Sequence, residues 1–197
     1  MQGNGRFGSE DMKSRARRAV ASAVAMLCVG AISPAFAALQ VGQPVPTFSA
    51  PAAMDGKPFT YSLSAALAKG PVVLYFFPAA FTVGCSLEAH AFAEAVDKFA
   101  ALGTTVIGVS TDSIDTLTKF STQACQGKFP VASDANKSIS KSFDALLQAR
   151  PEYANRVSYV IAPNGTIAAE YTNLDHDKHV EKMLAAVKEL PQNREKK

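Results

Sequence analysis

The rhythm of apolar and polar positions changes several times along the chain. Val72-Val73-Leu74-Tyr75-Phe76-Phe77 is a continuous apolar run between Gly70-Pro71 and Pro78, the pattern of a central strand buried on both faces. Over 84–101 the apolar positions fall at steps of three or four, with Leu87, Ala91, Ala95, Phe99 and Leu102 in register and Glu94, Asp97 and Lys98 elsewhere. This predicts an amphipathic helix, ended by Gly103. Thr104 to Ser110 is β-branched and apolar, a second strand, and leads through Thr111 and Asp112 into a helix near 114–124. Phe129-Pro130-Val131-Ala132 predicts a short strand, and 136–147 a helix started by Asp134 or Asn136. Val157 to Ile161 and Thr166 to Tyr171 then flank Pro163-Asn164-Gly165, a hairpin signature, before a last helix near 176–189. Ahead of all these, Pro44, Pro46 and Pro51 predict an extended leading segment that wraps the domain surface.

Strand-helix units followed by a hairpin and a helix imply an α/β protein with a mixed central sheet flanked by helices. A thioredoxin-like fold with an N-terminal extension fits this order. At 197 residues and 48% hydrophobic, the chain can build one main globular core. The expected division is a signal over 1–37, a domain over 38–190 and a polar tail over 191–197.

Charge changes the picture only at the start. Of twenty Lys/Arg and seventeen Asp/Glu, residues 1–37 hold five and two, leaving fifteen of each sign in the body. A balanced body lacks the single-sign field of a nucleic-acid binder, so no nucleic-acid partner is expected. Arg15, Arg17 and Arg18 precede a charge-free run from Ala19 to Ile32, then Pro34 and the small-residue pattern Ala35-Phe36-Ala37. This reads as a secretory signal cut after Ala37, with export to the periplasm. A membrane anchor is the competing reading, but the run falls short of the roughly 20 residues a spanning helix needs. No stable membrane association is expected once the signal is removed.

Cys28 leaves with that signal, so the mature chain carries two thiols, Cys85 and Cys125. They lack the paired spacing of a structural zinc site and the Cys-x-x-Cys of a thiol-disulfide oxidoreductase. Cys85 follows Pro78-Ala79-Ala80-Phe81-Thr82-Val83-Gly84, which sets its sulfur in the first turn of the helix after the buried strand. Unpaired N–H groups and the positive end of the helix dipole favour an anion there, so a thiol can ionise below its free value near 8.5. Thr82, three residues before, can hold a hydroxyl beside the sulfur, and Glu88, three after, lies on the same helix face.

Pro-x-x-x-Thr-x-x-Cys at a strand-to-helix junction resembles the peroxiredoxins, and the run through Glu88 resembles their peroxiredoxin Q or bacterioferritin-comigratory branch. The resemblance covers roughly 40–190. It takes in Gly108-Val109-Ser110-Thr111-Asp112, Phe129-Pro130-Val131-Ala132-Ser133-Asp134, and Arg156-Val157-Ser158-Tyr159-Val160-Ile161 ahead of Asn164-Gly165. It implies a thiol peroxidase acting on hydrogen peroxide, with organic hydroperoxides as a second substrate class and Cys85 as the peroxidatic cysteine. Thr82 would bond the peroxide, Arg156 would keep the thiolate charged and the peroxide oriented, Pro78 would shield the sulfur, and Glu88 would support. No cofactor or metal is implied, because sulfur itself accepts the oxygen.

In much of that branch a second cysteine lies five residues after the first; here that position is His90. Cys125, at the end of the helix from 114, resembles the alternative placement of a resolving cysteine that would pair with Cys85. A thioredoxin-like or other thiol donor would then reduce the pair, in a monomer or a homodimer. A one-cysteine cycle with an external thiol stays open, as does an exported, non-catalytic thioredoxin-fold interaction domain held by a permanent Cys85–Cys125 disulfide. Arg156 could instead pair with Glu152 on a surface, and Thr82 could be an ordinary helix cap. His90 is about 140° around the helix from Cys85 and belongs to surface or core packing. His176 and His179, with Asp175, Asp177 and Lys178, read as a solvated capping region with no metal.

Overall fold

The computed structural model describes residues 2, 3 and 38–191. The chain divides into two units, Met1–Pro34 and Ala35–Lys197, and every element below belongs to the second. Apart from Gln2 and Gly3, the expected signal lies outside the described residues, and so does the expected tail beyond Pro191. Among the described residues, no helix is long and apolar enough to cross a membrane.

Seven strands form one sheet: β1 (Ser49–Met54), β2 (Lys57–Ser62), β3 (Val72–Phe76), β4 (Thr105–Ser110), β5 (Val131–Ser133), β6 (Val157–Ile161) and β7 (Ile167–Thr172). Their order is β2-β1-β5-β4-β3-β6-β7. β3, β4 and β5 run parallel, while β6 and β1 join the two sides of this trio antiparallel, so the sheet is mixed as its pattern predicted. Among the described residues there are five helices: α1 (Leu63–Leu67), α2 (Val83–Ala100), α3 (Ile114–Gln123), α4 (Ser138–Ser142) and α5 (His179–Glu189).

β3 separates two cores through the two-residue alternation of a strand. Val72, Leu74 and Phe76 face one cluster with Leu63, Phe143 and Tyr159. Val73 and Tyr75 face the other, with Phe77, Phe92, Phe99, Phe120 and Met183. The second cluster contains both Cys85 and Cys125. β4 lies close against this layer because position 108 is Gly: a Cβ there would come within 2.8 Å of the Tyr75 ring.

Four expectations need correction. The leading segment is not merely extended: β1 and β2 form a hairpin that widens the sheet, and β1 accepts Pro51 opposite Thr60. On α2 the buried face is Cys85, Glu88, Ala89, Phe92, Ala93, Ala95 and Phe99, whereas Leu87 is half exposed. The stripe was therefore phased too far towards Leu87, since a polar Glu88 concealed the true inner face. The helix expected over 136–147 is one short element, α4. Asp134 does serve its start, accepting from the Ile139 and Ser140 N–H groups at 3.0 and 2.7 Å, but Asp144 turns to a left-handed φ of 50° and ends the run. The last helix begins at His179 rather than 176, and His179 is completely buried.

Candidate active site

The strand-to-helix junction after β3 sets Cys85 in the opening turn of α2, with its sulfur almost wholly covered. Thr82 occupies the N-cap position, and its carbonyl receives the Ser86 N–H at 2.9 Å. Its hydroxyl does not cap the helix; it donates back to the Ala79 carbonyl at 3.0 Å. That bond leaves the oxygen's lone pairs free and keeps the exposed side chain fixed on the loop. Pro78 is half-buried where the same loop leaves β3.

The loop is held under constraint. Phe81 adopts a left-handed φ of 63°, an uncommon conformation for an aromatic residue, and packs its ring edge-on against Phe120 at 5.3 Å. Asp112 anchors the loop from β4, accepting from the Ala80 N–H at 2.7 Å and the Ser110 hydroxyl at 2.6 Å. The Gly108-to-Asp112 tract was noticed in the sequence, but this anchoring role was not. Its signal was an acidic residue two positions after a buried strand, where the chain needs an acceptor.

Arg156, at the entrance to β6, extends under the first turns of α2. It donates from Nη2 to the Cys85 sulfur at 3.3 Å, from Nη1 to Glu88 Oε2, and from Nε to the Leu174 carbonyl at 2.9 Å. Every guanidinium nitrogen is thereby occupied and the group's plane is fixed. Gly84 makes room for it, since a Cβ at that position would lie 3.3 Å from Nη2. Burial works against the Arg156 charge, but Glu88 and Cys85 outweigh it and hold the guanidinium above its ordinary value. The alternative partner Glu152 is taken by Arg150 instead.

Glu88 is fully buried. Burial pushes its carboxyl up to about 8, while Arg156 pulls in the opposite direction. Oε2 contacts Arg156, but Oε1 is buried without a hydrogen-bond partner. Burying a carboxyl this deeply is costly and is offset only by a charge partner of good geometry, so Glu88 and Arg156 stand or fall as a pair.

Behind Glu88 lies His179, which was read as part of a solvated cap. Burial pushes its ring down to about 4. Its inward position follows from α5, where His179, Met183 and Val187 form the buried stripe at steps of four. That periodicity was present in the sequence, hidden beneath the neighbouring Asp175, Asp177 and Lys178. His90, by contrast, is exposed, pairing with Glu94 at 3.3 Å and with the Gln126 side chain at 2.8 Å.

Cys125 follows the last turn of α3, completely buried, with its N–H on the Phe120 carbonyl at 3.2 Å. Burial pushes its thiol up, which keeps it protonated while the segment stays folded. Both Cys85 and Cys125 are free thiols. The His90–Gln126 contact nevertheless ties the turn after Cys125 to α2, the helix that carries Cys85. A groove of about 400 Å³ runs between these segments, lined by Phe81, Ser86, Leu87, His90, Gln123 and Ala124. Asp175, His176 and Asp177 bring ligand atoms within 4.8 Å of one another, on the surface.

The chain is similar to proteins of known family. The model of the AhpC/TSA family matches residues 41–170. A chloroplastic 2-Cys peroxiredoxin, BAS1, from Hordeum vulgare is 33% identical over 157 residues, covering 76% of this chain and 74% of its own. A chloroplastic peroxiredoxin Q from Populus jackii is 32% identical over 156 residues, covering 79% and 71%. Among solved structures, peroxidoxin BcpB from Mycobacterium tuberculosis superposes with a TM-score of 0.70 at 28% identity, over 78% of this chain and 99% of its own.

Proposed function

The chain belongs to the AhpC/TSA family and is a peroxiredoxin, a thiol peroxidase; from that premise we propose that Cys85 is the atom-accepting nucleophile and Arg156 the group that serves it. The single observation that carries this is the Arg156 Nη2 bond to the Cys85 sulfur in the first turn of α2. A thiolate at Cys85 attacks one peroxide oxygen: the S–O bond forms as the O–O bond breaks, and the leaving oxygen departs as hydroxide or alkoxide and takes up a proton. Negative charge moves from sulfur to the leaving oxygen during this step. A fixed guanidinium touching the sulfur is close to the charge at its start, and the first-turn N–H groups lie at the same helix end, while the Thr82 hydroxyl, which gives its hydrogen to the Ala79 carbonyl, is left to accept one from the peroxide. Donors aimed before the reaction need no reorganisation during it. The product is a Cys85 sulfenic acid.

Hydrogen peroxide fits as substrate because nothing beyond two oxygens has to be recognised. Phe81, Val83 and Leu87, apolar and exposed around the opening turn of α2, support acceptance of organic hydroperoxides as well. In the second half of the cycle the Cys125 thiol condenses with the sulfenic acid, forming an S–S bond and releasing water, and a thioredoxin-like dithiol returns both sulfurs to the reduced state. A buried, protonated thiol is a poor nucleophile, so the end of α3 has to open first; its tie to α2 through Gln126 is one exposed hydrogen bond. The same burial favours a second reading in which an external thiol reduces Cys85 directly and Cys125 only packs.

Cys125→Ser separates the two. The variant is expected to form the sulfenic acid at the parent rate, yet yield no intramolecular disulfide and lose thioredoxin-supported turnover, as read by alkylation and mass analysis. Unchanged turnover would remove Cys125 from the cycle. A non-catalytic domain stapled by a permanent Cys85–Cys125 bond is disfavoured by the family match and by the guanidinium aimed at the Cys85 sulfur, which a structural disulfide would not require.

Export to the periplasm completes the proposal, supported by the basic start, the charge-free run from Ala19 to Ile32 and Ala35-Phe36-Ala37. Expression of the full chain in a Gram-negative host should yield a periplasmic form whose N-terminus is Ala38. A chain that keeps residues 1–37 and stays in the cytosol would contradict it.

A further inference from the structure

The buried imidazole behind Glu88 has a protonation pattern fixed by its partners. His179 Nε2 lies 2.9 Å from the Asn173 carbonyl, and a carbonyl only accepts, so Nε2 carries the hydrogen. Nδ1 lies 2.8 Å from the Ser158 hydroxyl, which donates to its lone pair. The ring meets Tyr171 edge-on at 4.8 Å, which holds it in place. Nδ1 is also 3.6 Å from Glu88 Oε1, the carboxyl oxygen that has no hydrogen-bond partner.

Two consequences reach Arg156. Asn173 and Leu174 are consecutive: the first carbonyl takes the His179 hydrogen and the second takes the Arg156 Nε hydrogen. Holding one carbonyl holds the other. Second, a ring that accepts from Ser158 has no hydrogen left on Nδ1 for Glu88. Among the described residues, Arg156 thus remains the carboxyl's only hydrogen-bond partner. A donor at the Nδ1 position would compete for that carboxyl and draw it away from the guanidinium.

We infer that His179 is a positioning residue for peroxide reduction. As the neutral ring protonated on Nε2, it clamps the Asn173-Leu174 turn and backs Glu88 without bonding to it, so that Arg156 stays aimed at the Cys85 sulfur. The inference rests on the reading of Arg156 given above and acts one step behind it. A guanidinium displaced by even about 1 Å can cost on the order of 100-fold in rate.

The test is the rate at which peroxide oxidises Cys85 in the reduced full-length protein, measured by rapid mixing and thiol alkylation. His179→Leu is expected to slow this step about 10-fold or more, and His179→Gln, whose amide nitrogen can reach the Asn173 carbonyl, to restore most of the rate. In an Arg156→Gln background, His179→Leu should slow it no further, because residues acting through one another are not additive. Oxidation of His179→Leu at the parent rate, or the same fold loss in both backgrounds, overturns the inference, since a merely structural role would add independently. If His179→Leu does not fold by circular dichroism, Ser158→Ala takes its place. It removes one of the two hydrogen bonds that hold the ring behind Glu88, so it should slow the step in the parent and not in Arg156→Gln. An Arg156→Gln protein that oxidises at the parent rate would instead defeat the reading of Arg156 itself.

Discussion

Cys85→Ser removes peroxide consumption, lowering the rate by at least about 10³-fold, while the protein still folds. Cys85 contributes little to the core that serine would not also fill, being one small side chain at the edge of a layer built from Tyr75, Phe77, Phe92 and Phe120. Its hydroxyl could still accept from Arg156, so the guanidinium keeps a partner. A serine oxygen, however, is a far weaker nucleophile near neutral pH and cannot store the oxidised state as a sulfenic acid. Peroxide loss followed in the presence of a thiol reductant, with circular dichroism as the control for folding, checks this. Retained turnover would remove Cys85 from its place in the reaction.

Arg156→Gln is expected to slow oxidation of Cys85 by roughly 10²- to 10³-fold, the range for loss of one fixed charge-stabilising donor. It should also destabilise the protein by about 1–3 kcal/mol, the cost of leaving a buried polar group without its partner, because a carboxyl that burial already pushes up to about 8 takes a proton once the guanidinium is gone. The two effects come from different atoms. The rate loss follows from Nη2 and the sulfur, and the stability loss from Nη1 and Glu88, whose carboxyl would be left buried with neither oxygen in a charged contact. The double variant Arg156→Gln/Glu88→Gln should therefore recover a good part of the stability and little of the rate. Rapid-mixing kinetics together with urea unfolding separate these outcomes.

The order of strands and helices was legible because β3, α2 and the β6–β7 hairpin each carry a strong local rhythm. Where the sequence misled, a polar residue had been folded inwards. Glu88 on α2 and His179 on α5 sit at core positions, and periodicity reads charge as solvent-facing. Their burial depends on each other and on Arg156, which lies 68 residues beyond Glu88 along the chain. No local pattern contains such a contact. The β1–β2 hairpin was missed for a different reason: Pro51 argued against a strand, yet β1 tolerates it.

In the site itself, the place of Cys85 in the first turn of a helix after a buried strand was legible from local pattern, and the position of Thr82 from its spacing, while the part given to Pro78 came from resemblance. Arg156 was assigned through resemblance alone, and the structure supplies the three bonds that explain its aim. Cys125 was recognised as the only second thiol in the body of the chain, but burial at the end of α3 could not be read from a residue that closes a helix near Gln126 and Gly127.

The most direct test of the account is the intact mass of the reduced protein after one equivalent of hydrogen peroxide. The account predicts either the gain of one oxygen atom, located on Cys85 by fragmentation, or the loss of two hydrogens in a Cys85–Cys125 bond, and neither change in Cys85→Ser. An unmodified Cys85 in a folded protein whose peroxide has been consumed would contradict it.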